Sequence, residues 1–207
     1  MAHADAFPAS ALPQLAEDVA EWLDASGLPT DDMTIAAVPL LIWDIGTGNS
    51  ILEATTSSGE WHHQIVRASQ PIAFARSRAR VENDQVELLE IAESPLTAAI
   101  DDVIRSLRAS PRETRTLRLL RIQRNHTTCM WLHDPAGGDE VISLQSPVWE
   151  RGLRIDEATF LRMVRVLPGP GLIEARDKQR RESPDPWHAR RWANSSIRPV
   201  RQLASAF

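Results

Sequence analysis

Residues 40–53 read LLIWDIGTGNSILE. An apolar run stops at Asp44, passes through Gly46, Thr47, Gly48 and Asn49, and turns apolar again. How this stretch is read decides the fold. A loop that cradles a phosphate would make the chain a nucleotide binder. A turn between two strands would make it one step of an antiparallel meander. In the second reading Gly46 and Gly48 supply positive φ, Asn49 tolerates it, and Trp43 is a large residue of the sheet.

The flanking sequence favours the meander. Residues 38–45, 50–56 and 61–68 carry strand patterns separated by the short polar connections GTGN and SSGE, and further strands are predicted at 72–81 and 85–91. Upstream, Leu12, Leu15, Ala16, Val19, Trp22 and Leu23 recur at helical spacing over residues 10–26. Ser10 reads as the N-cap, Pro13 falls in the first turn and Gly27 is the stop. Downstream, Ser94 caps a helix with Pro95 in its first position, a buried stripe of Leu96, Ala99, Ile100, Val103 and Leu107, and Pro111 after its end. Three more strands follow at 115–124, 127–134 and 140–145. A shorter helix capped by Asp156 carries Phe160, Met163, Val164 and Leu167. Strands in runs with helices set apart from them predict an α+β fold: a curved, mostly antiparallel sheet of about 6–8 strands against two or three helices. One domain is expected over residues 1–170, its first 34 residues an acidic helical segment. Residues 171–207 are expected to form an extended or partner-wrapping basic tail.

Charge is unevenly distributed. Residues 1–66 contain ten acids and no Lys or Arg, whereas the remainder holds all 23 basic residues against 18 acids. The net charge of −5 is therefore −10 followed by +5. Either the two parts pack together within the monomer, or one end meets a partner of opposite sign, such as a second copy. Lys178 is the only lysine, an arginine bias expected of a GC-rich, bacterial-like genome. A single cysteine, Cys129, precludes an intramolecular disulfide. No apolar stretch reaches the roughly 18 to 20 residues of a membrane span, and MAHADAFPAS lacks the features of a secretory signal. A cytoplasmic location with no membrane partner is expected.

The segment IWDIGTGNSIL resembles the first phosphate loop of the actin, heat-shock chaperone and sugar kinase ATPase superfamily, in which an apolar strand enters Asp-x-Gly-Thr/Ser. That resemblance covers about eleven of the 207 residues. It implies Asp44 near a metal, with the backbone of Gly46, Thr47 and Gly48 facing phosphates. The superfamily also needs a second Asp-x-Gly-Gly loop and two duplicated domains. The nearest segment, with Asp134, Gly137 and Gly138, carries an extra residue before its glycines. It also has Asp139 where a small hydroxyl residue is expected, an acid that would repel phosphate. The turn is the better reading.

Other chemistry centres on the histidines. His62 and His63 are adjacent, so in a strand they face opposite sides. The strand HTTCMWLHD sets Cys129, Trp131 and His133 on one face and Thr128, Met130 and Leu132 on the other. A metal site would draw on His63, His126, Cys129 and His133, and Cys129 is a nucleophile candidate with His133 or His63 as base. No second CxxC or HxxxH motif completes a zinc signature. Lone cysteines in apolar strands usually serve as small buried hydrophobes. Glu87, Glu90 and Glu93 read as a solvated face. No metal, cofactor or catalytic set is expected.

The tail interleaves Trp187 and Trp192 with Arg180, Arg181, Arg190 and Arg191. Arginine beside tryptophan is the composition of protein-interface hot spots and of single-stranded nucleic-acid grooves. A pI near 5.7 disfavours nucleic acid as the main partner. The tail either covers its own domain or binds a partner. The sequence therefore predicts a non-catalytic interaction or assembly protein: a scaffold, an accessory subunit or an inhibitor or immunity-type protein. A small metal- or Cys/His-dependent enzyme and a nucleotide binder at DIGTGN are the alternatives.

Overall fold

The computed structural model describes residues 3–27, 30–36, 38–80, 85–109 and 114–167. Among these, ten strands form one sheet and four helices accompany it. The chain runs β1 (His3–Ala4), α1 (Leu12–Ala25), β2 (Met33–Ile35), β3 (Leu40–Ile45), α2 (Ile51–Ala54), β4 (Thr55–Arg67), β5 (Gln70–Arg80) and β6 (Gln85–Ala92). It continues with α3 (Pro95–Arg108), β7 (Thr116–Ile122), β8 (Thr127–His133), β9 (Glu140–Gln145), β10 (Arg154–Asp156) and α4 (Glu157–Val166). The strand order is β10-β9-β8-β7-β3-β4-β5-β6.

Two antiparallel meanders thus lie back to back, β3 to β6 on one side and β7 to β10 on the other. They meet where Ile42, Trp43 and Asp44 run parallel to Leu119, Leu120 and Arg121. Parallel neighbours need a crossover, and α3 lies in it. Two short additions fill gaps: β1 pairs in parallel with the start of β7, and β2 pairs with the end of β4.

Strand alternation assigns each face its cover. On one face Leu40, Ile42, Leu117, Leu119, Met130 and Leu132 pack beneath α3. On the other, Leu120, Ile122, Cys129 and Trp131 pack beneath Phe160, Leu161 and Val164 of α4. Leu15, Val19 and Leu23 of α1 lie on Ile65, Ala73, Ala75 and Ile91, also on that second face. The expected opposition of Cys129 and Trp131 to Met130 and Leu132 is therefore observed.

Local chemistry explains the helix ends. Ser94 Oγ accepts from Leu96 N at 3.1 Å, and Asp156 Oδ1 accepts from Thr159 N at 2.9 Å, the two caps expected. Ser10 is a correction. Ala11 N–H bonds Pro8 O, so Ser10 sits inside a 3-10 turn and α1 starts beyond it with no side-chain cap. Gly27 has φ +69° and ends the helix as expected.

Two further corrections concern the opening stretch and the residues that follow it. Residues 51–54, expected in a strand, form the single helical turn α2, because Ser50 caps it and Glu53 reaches back to Asn49 N–H. SSGE, expected as a turn, lies inside the thirteen-residue β4. There Ser58, Gly59 and Glu60 form a bulge opposite Ile42 of β3: pairing moves from Leu41–Trp61 to Trp43–Ser57, Gly59 takes φ +70°, and Ser58 Oγ donates to Ile42 O. Turn-like residues here bend a strand without ending it.

Candidate functional site

The Gly46–Asn49 loop is built for close packing. Neither glycine nor Asn49 has positive φ, contrary to the turn expected from sequence. Gly46 N–H bonds Ala54 O at 2.7 Å, and a Cβ on Gly48 would lie 2.6 Å from Ala54 N. Glycine is needed because α2 folds back onto the loop. Arg165 donates to Gly48 O, tying α4 to the same turn. Asp44 is engaged by Arg121, whose Nε and Nη2 meet its two oxygens at 2.7 and 3.0 Å. Partial burial pulls this carboxyl upward, but hydrogen bonds from Arg121 and Gln123 outweigh it and hold its pKa below the ordinary value.

The pair opens a charged row across five strands. Glu60 bonds Arg78 at 2.9 Å and lies 3.4 to 3.5 Å from Arg76 and Arg121, and Arg76 bonds Glu90 at 2.9 Å. Glu90, expected to be solvated, is thus an ion-pair member. By alternation these side chains stand on the α3 side of the sheet.

The four metal-ligand candidates are dispersed. His63 is buried against the Phe7 ring, its Nε2 2.8 Å from Ser77 Oγ. His62 points the other way and stacks on Phe74 at 4.9 Å. Burial lowers the pKa of His63 to about 4 and, with repulsion from His63 and Arg76, that of His62 to about 3. His126 is exposed, in a left-handed turn at φ 54°. Cys129 is wholly buried in the α4 cluster, and desolvation pushes its thiol up to about 12. A thiol so placed holds its proton at neutral pH. His133 lies 3.2 Å from Asp139, which also accepts from Trp131 Nε1 at 2.7 Å and Asp134 N–H at 2.8 Å. Asp139 is therefore a buried brace of the β8–β9 turn. Among the described residues no group of three or more His, Cys, Asp or Glu is placed to hold a metal.

The most unusual polar group is one that sequence reading missed. Arg118 lies between two tryptophans, its guanidinium 4.6 Å from the Trp43 ring and 4.9 Å from the Trp131 ring. Asp5 grips it from the side, with Nε to Oδ2 at 2.8 Å and Nη2 to Oδ1 at 3.0 Å. The third nitrogen, Nη1, is buried without a hydrogen-bond partner among the described residues. Two residues on, Phe7 meets Trp61 and His63 edge to face at 5.2 and 4.8 Å. A guanidinium keeps its proton, so this arrangement recognises a carboxylate and transfers nothing. One signal was available: in TLRLLRI, Arg118 shares its strand face with Leu120 and Ile122, an ion where a core residue is due.

Trp187, Trp192, Arg180, Arg181, Arg190 and Arg191 lie outside the described residues. No helix among the described residues is long and apolar enough to cross a membrane. Compared with models of known families, with curated proteins and with solved structures, the chain matches none.

Proposed function

We propose that this is a non-catalytic interaction or assembly protein of the cytoplasm. It acts through its acidic N-terminal segment and its basic, tryptophan-bearing tail, with a second copy or another protein as partner. The observation that carries the reading is the outer face of α1. Glu17, Asp18, Glu21 and Asp24 stand on the side away from Leu15, Val19 and Leu23, and no cation among the described residues pairs with them. Partial burial first, and then repulsion from Glu21 and Glu17, raise the pKa of Asp18. Asp5, Asp44 and Glu60, by contrast, are paired within the fold. The acids of the first third thus divide into an internal set and a set free to meet arginine.

The roles of the other candidates support the same reading. Cys129, His62 and His63 are buried in uncharged form, and Asp44 is bound to Arg121.

The test is to compare the full chain with one ending at residue 170, by light scattering during size separation. Loss of a dimer, or of a complex co-purified from the native source, is expected. Arginine substitutions at Glu17, Asp18, Glu21 and Asp24 should reproduce the loss, and raised salt should weaken the association. Unchanged mass and unchanged co-purification in both variants would sink the proposal.

A further inference from the structure

We infer that residues 3–7 occupy a peptide-binding slot. Its external ligand would be an extended segment that alternates apolar, acidic, apolar and aromatic residues. The inference deepens the binding reading above, adding a second surface that does not involve the tail.

The slot is a gap in the sheet. β7 begins at Thr116, but β3 pairs with it only from Leu119 onward. The β3-side edge of Thr116 and Leu117 is taken by His3 and Ala4, a two-residue parallel strand. Parallel strand addition is a common way of holding a peptide: backbone bonds supply affinity and alternate side chains supply specificity.

The occupant obeys the alternation. Asp5 and Phe7 turn to one face, the acid onto Arg118 and the ring onto Trp61 and His63. Ala4 turns to the other and packs against the α3 cluster. Next to Ala4 and Ala6 lies a groove of about 400 Å³, bounded by Val38, Leu117, Ile104 and Leu107. The volume lies within the range of small-ligand pockets. The two alanines line it without filling it, so larger aliphatic side chains at these two positions would fit. Arg118 explains the acid between them: its fork is fixed by two rings and complements a carboxylate.

Residues 3–7 are thus an undersized internal ligand. A segment with leucine or isoleucine in place of Ala4 and Ala6 displaces them, keeps the carboxylate on Arg118 and fills the groove.

The experiment uses the chain lacking residues 1–7 and a fluorescent peptide of residues 3–10, with binding read by anisotropy. Saturable binding is expected. Replacing the peptide's Asp5 by asparagine should weaken it at least tenfold, as should Arg118→Gln in the protein. A peptide carrying Ala4→Leu should bind several-fold tighter, and the intact chain should bind all peptides at least tenfold more weakly. No binding to the folded, shortened chain, or indifference to Asp5 and Arg118, overturns the slot. A dimeric intact chain that becomes monomeric when residues 1–7 are removed also overturns it, since the occupant would then be the same segment of a second copy. If the shortened chain does not fold, Ala4→Leu in the full chain decides. A raised Tm supports an unfilled groove, and a lowered Tm rejects it. The tail is untouched throughout, so failure here leaves the tail experiment standing, and the reverse holds.

Discussion

At the scale of single residues, small changes test what each side chain is for. Gly48→Ala would force a Cβ to 2.6 Å from the Ala54 backbone nitrogen, and backbone cannot swing aside as a flexible side chain can. A loss of about 1–3 kcal/mol in urea unfolding is expected, as for overpacked cores. A nucleotide loop would instead lose ligand binding with stability unchanged. Cys129 should ignore a thiol reagent in the native protein and react only when guanidinium unfolds it, because burial holds its pKa near 12. Rapid native labelling would contradict its burial. Such facts were partly legible. The alternation of HTTCMWLHD placed Cys129 correctly, since period 2 is local. Arg118 was missed because its partners, Asp5 and Trp43, lie 113 and 75 positions away in the chain, and no window joins them.

Elements behaved as sequence suggested where their signals were local and strong. The Ser94 and Asp156 caps, the Gly27 stop and the strands β7, β8 and β9 needed only nearby residues. Ser94→Ala is expected to cost about 1 kcal/mol, read by thermal unfolding, because Leu96 N–H loses its acceptor. What failed was the region from residue 51 to residue 60. Ser57, Ser58 and Gly59 have turn chemistry but lie in a bulged strand, because pairing with β3 continues on both sides of the irregularity, at Trp43–Ser57 and at Leu41–Trp61. Residues 51–54 are too few for helical periodicity to show, and β1, β2 and β10 have two or three residues each. On α1 the acidic face predicts a gain. Asp18→Asn should raise Tm at neutral pH in low salt, with the gain shrinking as salt rises. The sign follows from the raised pKa: a carboxyl harder to ionise when folded weakens the fold once charged. An equal effect at high salt would show that repulsion is not the cause.

At the scale of the whole molecule, two imidazoles among the described residues, His62 and His63, lie in the interior, and the response to acid should report them. Both titrate near 6.5 in an unfolded chain and at about 3 and 4 in the fold. The unfolded state therefore binds more protons below pH 6.5. Stability is complete above that value and falls as pH drops through the window down to about 4 for His63 and 3 for His62. Between pH 7 and pH 5 the pair should cost on the order of 3 kcal/mol, measured by denaturant titration, and His62→Phe should remove part of that slope. A flat profile would mean that the rings are solvated. The parallel junction of Ile42–Asp44 with Leu119–Arg121 has a different consequence, which concerns time. Each meander closes through neighbouring strands, but the junction joins residues 77 positions apart, and loop closure over that distance is slow. A ribosome releases β3 long before β7 exists. Until then Leu40 and Ile42 lack the neighbouring strand they acquire in the finished fold, and the half-made chain displays an open apolar edge. Substitutions at Leu119 should therefore slow refolding more than equally destabilising ones in β5. A nascent chain halted after β6 is the form of this protein with most to gain from a chaperone.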